Sequence, residues 1–557
     1  MASVNKEQIT ISETHPHRSI PSVRDGLVPT QREILHTLLQ QKSREGIKVD
    51  QLASNVSAFF TRAPDQSEIQ EDTKKLAQNF VGASNINYLK PDGWFGSRRE
   101  GGKDAGDARF IYTHLSDVTR SIFLEKDDCL LARCMRKGKP GEPKTYTPVL
   151  PTILVNGYET SGQDWQTRIP PYNPKDIIEN LRRRMSGSSK DDMQSMQPWF
   201  RNWTGRVEKI DQRQYTMRGK MHKTSEGVME ITELPPRLWT QDFKSELDKY
   251  ISKPRSQIKS YTEHPASQGV RFELVTTNHD MDPAAQRDLE AKLSLHKTIT
   301  TDSLVALDDN GNVQKYATDL DILEEFYLLK SQAYKCRKLT QLSTLKKDLT
   351  RWTDQSKFAK LLLGGNLDIS QDRDTLVGHL IHHGLIPVEN FDDLVPTKKR
   401  KRDVDSNPAV PGYEHLFEMT VASMLPGPMQ ELETSIASKK AQIAELEQIS
   451  VEEMWEADLL AFEKAWDQHL DNPYMPQPNQ QPNMPPSQEP QRFDPLALYP
   501  KHYATLIASY QKQAEDQRKE VEKLDKKFEA LSEESKEANE AVENLQDGIV
   551  KASSAPR

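Results

Sequence analysis

The chain has 557 residues, 35% of them hydrophobic and 28% charged, and no stretch approaches the roughly 20 apolar residues of a membrane span; a polar protein of about three or four domains is expected. The opening residues, MASVNKEQITISETHPH, lack the apolar core of a secretory signal, and Cys129, Cys134 and Cys336 are too few and wrongly spaced for a disulfide framework or a zinc site, so a cytosolic or nuclear chain is expected. The net charge of -8 is uneven: residues 1–250 hold 38 Lys+Arg against 33 Asp+Glu and the remainder 37 against 50, which makes the first half the better polyanion partner, although so small an excess also fits an ordinary solvated surface.

Residues 1–17 read as a disordered tail. From Ile20 to about Asn180 a compact mixed domain is expected, opening with the turn Asp25-Gly26, with Pro29 near a helix start and the amphipathic run EILHTLLQQ, a pattern compatible with helix-turn-helix. TPVLPTILVNG (Thr147–Gly157) reads as strand, and IIENLRRRM as a helix that clusters Arg182, Arg183 and Arg184. Between about 195 and 305, alternating runs such as GVMEITELP and GVRFELVTT predict a β-rich domain. Beyond Asp319 the pattern turns helical: Leu323, Phe326, Tyr327 and Leu329 lead into a polar helix from Arg337 to Leu363, and the region ends near Leu385.

KKRKR (Lys398–Arg402) lies in a flexible insert at 395–411, where a nuclear address is favoured over a solvated linker. Met429, Leu432, Ile436, Ile443 and Leu446 recur at heptad spacing, so their helix should pack along another. The Pro/Gln/Asn-rich stretch at 471–495 cannot build a core. After it, Ile507, Ala514, Val521, Phe528, Ser535, Val542 and Ile549 alternate with Tyr510, Gln517, Leu524, Leu531, Ala538 and Leu545 in a coiled coil within 496–550.

The order of short motifs carries more than periodicity does. RSIPSVRDGLVPTQREIL (18–35), KVDQLA (48–53), LAQNFVGASNIN (76–87), WFGSRREGGKD (94–104), ARFIYTHLS (108–116), FLEKDD (123–128) and PVLPTILVNG (148–157) come first. ITELPPRLWTQDFK (231–244), LHKTIT (295–300), VQKYATDLDILEEFY (313–327), YEHLFEMTVASML (413–425) and MWEADLLAFEKAW (454–466) follow. Collinear over about 18–470, they resemble the breakage-reunion, or DNA-gate, region of the type IIA DNA topoisomerases, most closely the eukaryotic form.

The resemblance implies a multidomain α+β fold: a winged-helix DNA-gate domain at 18–147, a β-rich tower domain at 148–305, and helical coiled-coil arms ending in an exit-gate dimer interface at 306–470. The C-terminal coiled coil is additional to it. It further implies a nuclear homodimer that binds double-stranded DNA, and since phosphate contacts would dominate while the DNA-bending wedge is lost, weak binding with little sequence preference is expected. The family's ATP and magnesium belong to domains whose motifs find no counterpart before Arg18. No cofactor is therefore expected on this chain, and a separate ATPase/metal-binding subunit is an expected partner, as is an unknown partner for the C-terminal coiled coil.

The family's nucleophile is the tyrosine of P-R-Y-I-F-T, which attacks a DNA phosphodiester; the matching position here is Phe110, which has no oxygen to form that bond. Arg109, which in the family steadies the attacked phosphate, is retained. Tyr112 is a fallback nucleophile, but on a strand it would lie about 7 Å further along the chain. The family's Y-H-H-G-E aligns with Arg62-Ala63-Pro64-Asp65-Gln66, so both histidines are lost. After VNG, the isoleucine that the family inserts between base pairs aligns with Ser161, too small and polar to act as a wedge. Val28 and Glu33 stand where lysines are common.

Three readings follow. In the first, the chain is a catalytically inactive relative that still grips duplex DNA, with Arg18, Arg32, Arg98, Lys103 and Arg109 at phosphates; ordinary surface or intradomain pairing is the alternative for these cations. In the second, it is the breakage-reunion subunit of a split DNA topoisomerase II that uses Tyr112. In the third, it is a coiled-coil scaffold protein.

Overall fold

A computed structural model describes residues 18–41, 45–59, 65–136, 139–162, 166–254, 256–264, 269–277, 282–367, 373–385, 413–417 and 419–471. The basic run Lys398–Arg402 and the heptads of 496–550 lie outside the described residues.

The helix Pro29–Gln40 starts on a proline, whose missing amide is no loss in a first turn. Its buried stripe of Ile34, Leu35, Leu38 and Leu39 meets Leu52 and Val56 of the helix Val49–Phe59 and Ile69 and Leu76 of the helix Gln66–Ala77 in one hydrophobic core. Beside these helices lies a three-stranded antiparallel sheet with Tyr112–Leu115 between Ile47–Lys48 and Leu89–Asp92. Its register sets Tyr112 opposite Lys48 on one side and Asp92 on the other.

The strand expected across Thr147–Gly157 is instead a short helix, Thr152–Asn156, entered through Pro151. Ile153, Leu154 and Val155 are all buried, and a fully buried apolar run shows no polar face in either helix or strand, so periodicity could not separate the two. Gly157, at φ +63°, turns the chain into the hairpin Tyr158–Ser161 and Gln166–Ile169.

Between 206 and 300 two antiparallel sheets form. One orders its strands Lys220–Ser225, Val228–Glu233, Phe272–Thr276 and Ile258–Glu263; the other His296–Thr300, Gln214–Arg218 and Arg206–Lys209. The helices Thr240–Ile251 and Pro283–Lys292, which the β-rich reading did not anticipate, supply Phe243, Leu247 and Leu289 to a core shared with Ile231, Phe272 and Leu274.

The helical part is built on one continuous helix, Asp319–Leu363, of 45 residues. At 1.5 Å per residue it reaches roughly 68 Å. Thr318 caps its start reciprocally with Asp321. Along it runs the helix Pro426–Gln448, where Met429 and Ile443 are buried and Leu432, Ile436 and Leu446 are half-buried, as expected of a heptad seam. Phe358, Leu376, Val377, Leu380, Tyr413 and Leu416 form a separate small core at the far end. The helix Val451–Asp471 returns to the base, where Trp455 stacks on Tyr327 and Tyr334 at 5.6 and 5.4 Å and donates from Nε1 to the Val149 carbonyl. The arginine cluster is engaged within the fold: Arg182 holds Glu456 and Glu463, Arg184 holds Glu324 and Arg183 holds Glu179.

A buried ionic network fastens the long helix to the base. Asp127 accepts from Arg337 Nε and Nη2, both at 2.6 Å, and from Lys330 Nζ at 3.2 Å. Arg337 also donates to Asp458, which accepts from the Tyr334 hydroxyl at 2.9 Å, and Lys330 donates to the Thr147 carbonyl at 2.7 Å. Burial pulls the Lys330 ammonium down to about 8, with Asp127 as its main counterweight. Two acids and two bases balance, so removing one leaves a buried charge without its partner. Arg337→Met should therefore destabilise the chain by roughly 3–5 kcal/mol, read as lowered thermal and urea midpoints, with a much smaller loss for Arg182→Met at its partly exposed pair.

His469 ends this part of the fold. Its Nε2 lies 2.9 Å from Arg201 Nη1 and 3.1 Å from the Asn87 carbonyl oxygen Oδ1. Burial, with Arg201 beside it, holds the imidazole down at about 4. The folded histidine resists a proton that the unfolded one accepts near 6.5. Stability is thus complete above about pH 6.5 and is lost as the pH falls towards 4, by up to roughly 3 kcal/mol. His469→Gln, which keeps a polar side chain of similar size but takes up no proton, should flatten that part of the melting-temperature profile.

Candidate nucleic-acid interface

The segment between Asp92 and Tyr112 leaves the three-stranded sheet and returns to it as a long, internally braced loop. Ser97 closes it on Asp104, with Oγ at 2.6 Å and the backbone amide at 2.9 Å. Gly101, at φ +66°, lets Trp239 lie against the backbone; a Cβ there would stand 2.2 Å from the indole. Arg98 reaches the buried Glu233 and the Leu234 carbonyl, Arg99 pairs with Glu263 at 3.3 Å, and the Arg99 carbonyl accepts from the Gln241 amide at 3.0 Å. The loop is thereby fixed to the neighbouring sheet region.

Its last residues are held by a helix start. The amides of Val49 and Asp50, which have no partner inside the helix Val49–Phe59, donate to the carbonyls of Ile111 and Ala108, each at 3.1 Å. Ile111 is buried and Phe110 is turned outward. Arg109 forks onto Asp107, with Nε to Oδ1 at 2.9 Å and Nη2 to Oδ2 at 2.7 Å, and lies 5.5 Å from the centre of the Phe110 ring. Hydrogen bonds from the Arg109 side chain hold the Asp107 carboxyl far below the usual carboxylate range. Phe110 therefore sits in a turn, while Tyr112 sits in the ladder with Lys48 Nζ 5.8 Å from its ring centre.

The remaining expected residues divide into two groups. Arg18 and Lys103 are exposed, and neither makes an ion pair among the described residues; Ser161 is exposed at the end of its hairpin strand, opposite Gln166. Arg32 and Arg98 point inward. Arg32 is buried against Asp25, with Nε to Oδ2 at 2.8 Å and Nη2 to Oδ1 at 3.0 Å, and Asp25 also accepts from the amides of Leu27 and Tyr146. For these two arginines the intradomain alternative describes the geometry, because each guanidinium already has a buried carboxylate. The displaced segment Arg62-Ala63-Pro64 lies outside the described residues; Asp65 and Gln66 lead into the helix Gln66–Ala77.

One cluster was not visible in the sequence. Beside the Ser161 hairpin, Glu159 binds Arg168 at 2.9 Å and also Arg237, and burial and Arg237 lower the ammonium of Lys297 nearby. These cations come from three distant segments, so no local signal marks them. Among the described residues no group of three or more His, Cys, Asp or Glu side chains is placed to hold a metal ion, and no helix is long and apolar enough to cross a membrane.

A family model that describes the A-type subunits of DNA gyrase/topoisomerase IV matches residues 18–460. The chain belongs to that family. It is 37% identical over 475 residues to DNA topoisomerase 2 of Penicillium chrysogenum, covering 83% of this chain and 30% of that protein. It is 32% identical over 499 residues to DNA topoisomerase 2 of Saccharomyces cerevisiae, covering 84% of this chain and 35% of that protein. It thus spans about a third of the length of these curated relatives. The crystal structure of the Plasmodium falciparum topoisomerase II DNA-binding, cleavage and re-ligation domain matches with a TM-score of 0.72 and 33% identity, over 84% of this chain and 64% of that one. The recognition made from ordered motifs is confirmed, and with it a mixed helix-and-sheet fold of the topoisomerase II cleavage type.

Within this family frame, the inward and outward cations should behave differently. Arg98→Ala strips Glu233 of its buried partner and should raise hydrogen exchange across 93–106 and lower the melting temperature whether or not DNA is added. Lys103→Ala should leave both unchanged.

Proposed function

We propose that this chain is a DNA-gate module that grips duplex DNA without cutting it. The observation that carries the proposal is Phe110: the position that matches the family's nucleophile is outward-facing and next to a retained arginine, yet it has no oxygen. The second reading, with Tyr112 as nucleophile, is disfavoured by register. Lys48 and Asp92 pair with Tyr112 from both sides, so shifting it into the place of Phe110 would slip the whole ladder by two residues. The Ala63-Pro64 and Ser161 departures remove transition-state donors and the DNA wedge as well.

In this reading the helices and sheet of 18–147 form the winged-helix DNA gate, the two sheets between 206 and 300 the tower, and the helices from Asp319 onward the arms of a homodimeric exit gate. DNA is held through phosphates by Arg18, Lys103 and Arg109, joined by the basic group around Glu159. Arg32 and Arg98 are set aside because each is held against a buried carboxylate, whereas the pairs of Arg109, Arg168 and Arg237 are partly exposed. ATP and magnesium are handled away from this chain, on a separate partner subunit, and the protein is nuclear. The scaffold reading, in which the segment 496–550 carries the function, predicts no DNA binding at all.

Two measurements test the proposal. Fluorescence anisotropy should show weak duplex binding that falls steeply with rising salt and varies little with sequence; absence of binding at low salt would favour the scaffold. Denaturant-quenched capture on labelled DNA, with magnesium and a competent partner subunit, should yield no covalent adduct from the wild type and almost none from Phe110→Tyr, because groups that act as a unit fail as a unit. An adduct from wild type that disappears in Tyr112→Phe would establish the displaced active site instead.

A further inference from the structure

Trp94, Phe110 and Tyr112 are exposed at 41%, 69% and 37%, and the chain brings all three to one end of one sheet. The last ladder pair is Asp92 with Tyr112. One residue beyond it, a Cβ built on Gly93 would lie 3.5 Å from Ile111 Cα, so the two segments still run side by side there. Trp94 and Phe110 follow on each, where the Trp94 carbonyl accepts from the Gly106 amide at 2.8 Å and the Phe110 amide donates to the Asp107 carbonyl at 2.9 Å. Between Phe110 and Tyr112, Ile111 is buried and anchors the pair to the core.

Each of two rings has a cation beside it: the Arg109 guanidinium is 5.5 Å from the centre of Phe110, and Lys48 Nζ is 5.8 Å from the centre of Tyr112. Lys103, in the same loop, is exposed. The carboxylates of Asp107 and Asp92 share this surface, and Asp107 forks onto Arg109. The Arg109–Asp107 pair is exposed, so the guanidinium is free to exchange its carboxylate for a phosphate. Aromatic faces interleaved with cations are the arrangement that takes unpaired bases, since every base has a flat π-face and a charged backbone running beside it.

We infer that this sheet end is a stacking platform for unpaired bases, with Phe110 and Trp94 taking base faces and Lys48, Lys103 and Arg109 following the adjoining phosphates. The bases of an intact duplex are already stacked on one another and offer no free face. DNA with a bubble, a gap or a flap is therefore the preferred substrate class. The inference rests on the DNA-binding reading above and narrows it. Losing the hydroxyl at position 110 removes a nucleophile but leaves a ring that stacks without a polar edge to satisfy.

The test uses the full chain and short labelled DNAs of one sequence, either fully paired or with an internal unpaired stretch carrying a fluorescent base analogue. The expected result is binding on the order of tenfold tighter to the unpaired-stretch DNA, with quenching of the analogue as it stacks. Phe110→Leu, apolar but not aromatic, and Trp94→Ala should each reduce the preference and the quenching, while Phe110→Tyr should retain both. Thermal melting verifies that these surface variants fold. Equal affinity for the two DNAs, or a preference unchanged in the Phe110→Leu, Trp94→Ala double variant, overturns the platform and leaves the duplex-gripping proposal standing. No binding to either DNA overturns both.

Discussion

The carboxylate of Asp127 meets the ammonium of Lys330 and the guanidinium of Arg337 inside the protein, and the orientation of the long helix depends on that meeting. Asp127 comes from the segment that follows the three-stranded sheet, the two cations from the first half of the helix Asp319–Leu363, and Asp458 from the returning helix. One neutral cluster thus pins three segments in a single register. Hydrophobic contact alone would tolerate sliding, because Leu and Ile faces are interchangeable over a helical turn. A buried charge is not, since any shift leaves it without its counter-ion. Trp455, stacked on Tyr327 and Tyr334 in the same place, fills the volume around the charges.

A second constraint of the same kind controls the loop at 93–106. Glu233 accepts from Arg98 and from the amide and hydroxyl of Thr204, so the loop and the neighbouring sheet region share one carboxylate. With Trp239 pressed onto Gly101, the loop has little freedom at its base. What it presents outward is therefore determined at its other end, where helix amides hold the turn that carries Phe110. The turn is thus held firmly from both sides, and the side chain that it presents outward is a phenyl ring without an oxygen.

Charge counting along the chain does not show which cations the fold engages with its own carboxylates. The most basic local sequence among the described residues, Arg182-Arg183-Arg184, is wholly engaged with Glu456, Glu463, Glu179 and Glu324. Cations at Arg168, Arg237 and Lys297, unremarkable in sequence, gather around one glutamate. Lysine and arginine are long enough to find a carboxylate from almost any surface position, so local composition does not decide which of them remain available.

The sequence by itself determined the family, the loss of oxygen at Phe110, the heptad seam of Pro426–Gln448 and the helical character beyond Asp319, because each depends on residue identity or short-range spacing. It could not settle the helix at Thr152–Asn156, since a buried apolar run lacks the polar face that gives period 2 or 3.6 its contrast. Nor could it tell Arg32 and Arg98 from Arg18 and Lys103. All four are cations within family motifs. Only the tertiary structure brings Asp25 to the first and Glu233 to the second, and the direction of a flexible, charged side chain is decided by the carboxylate that folding places within its reach.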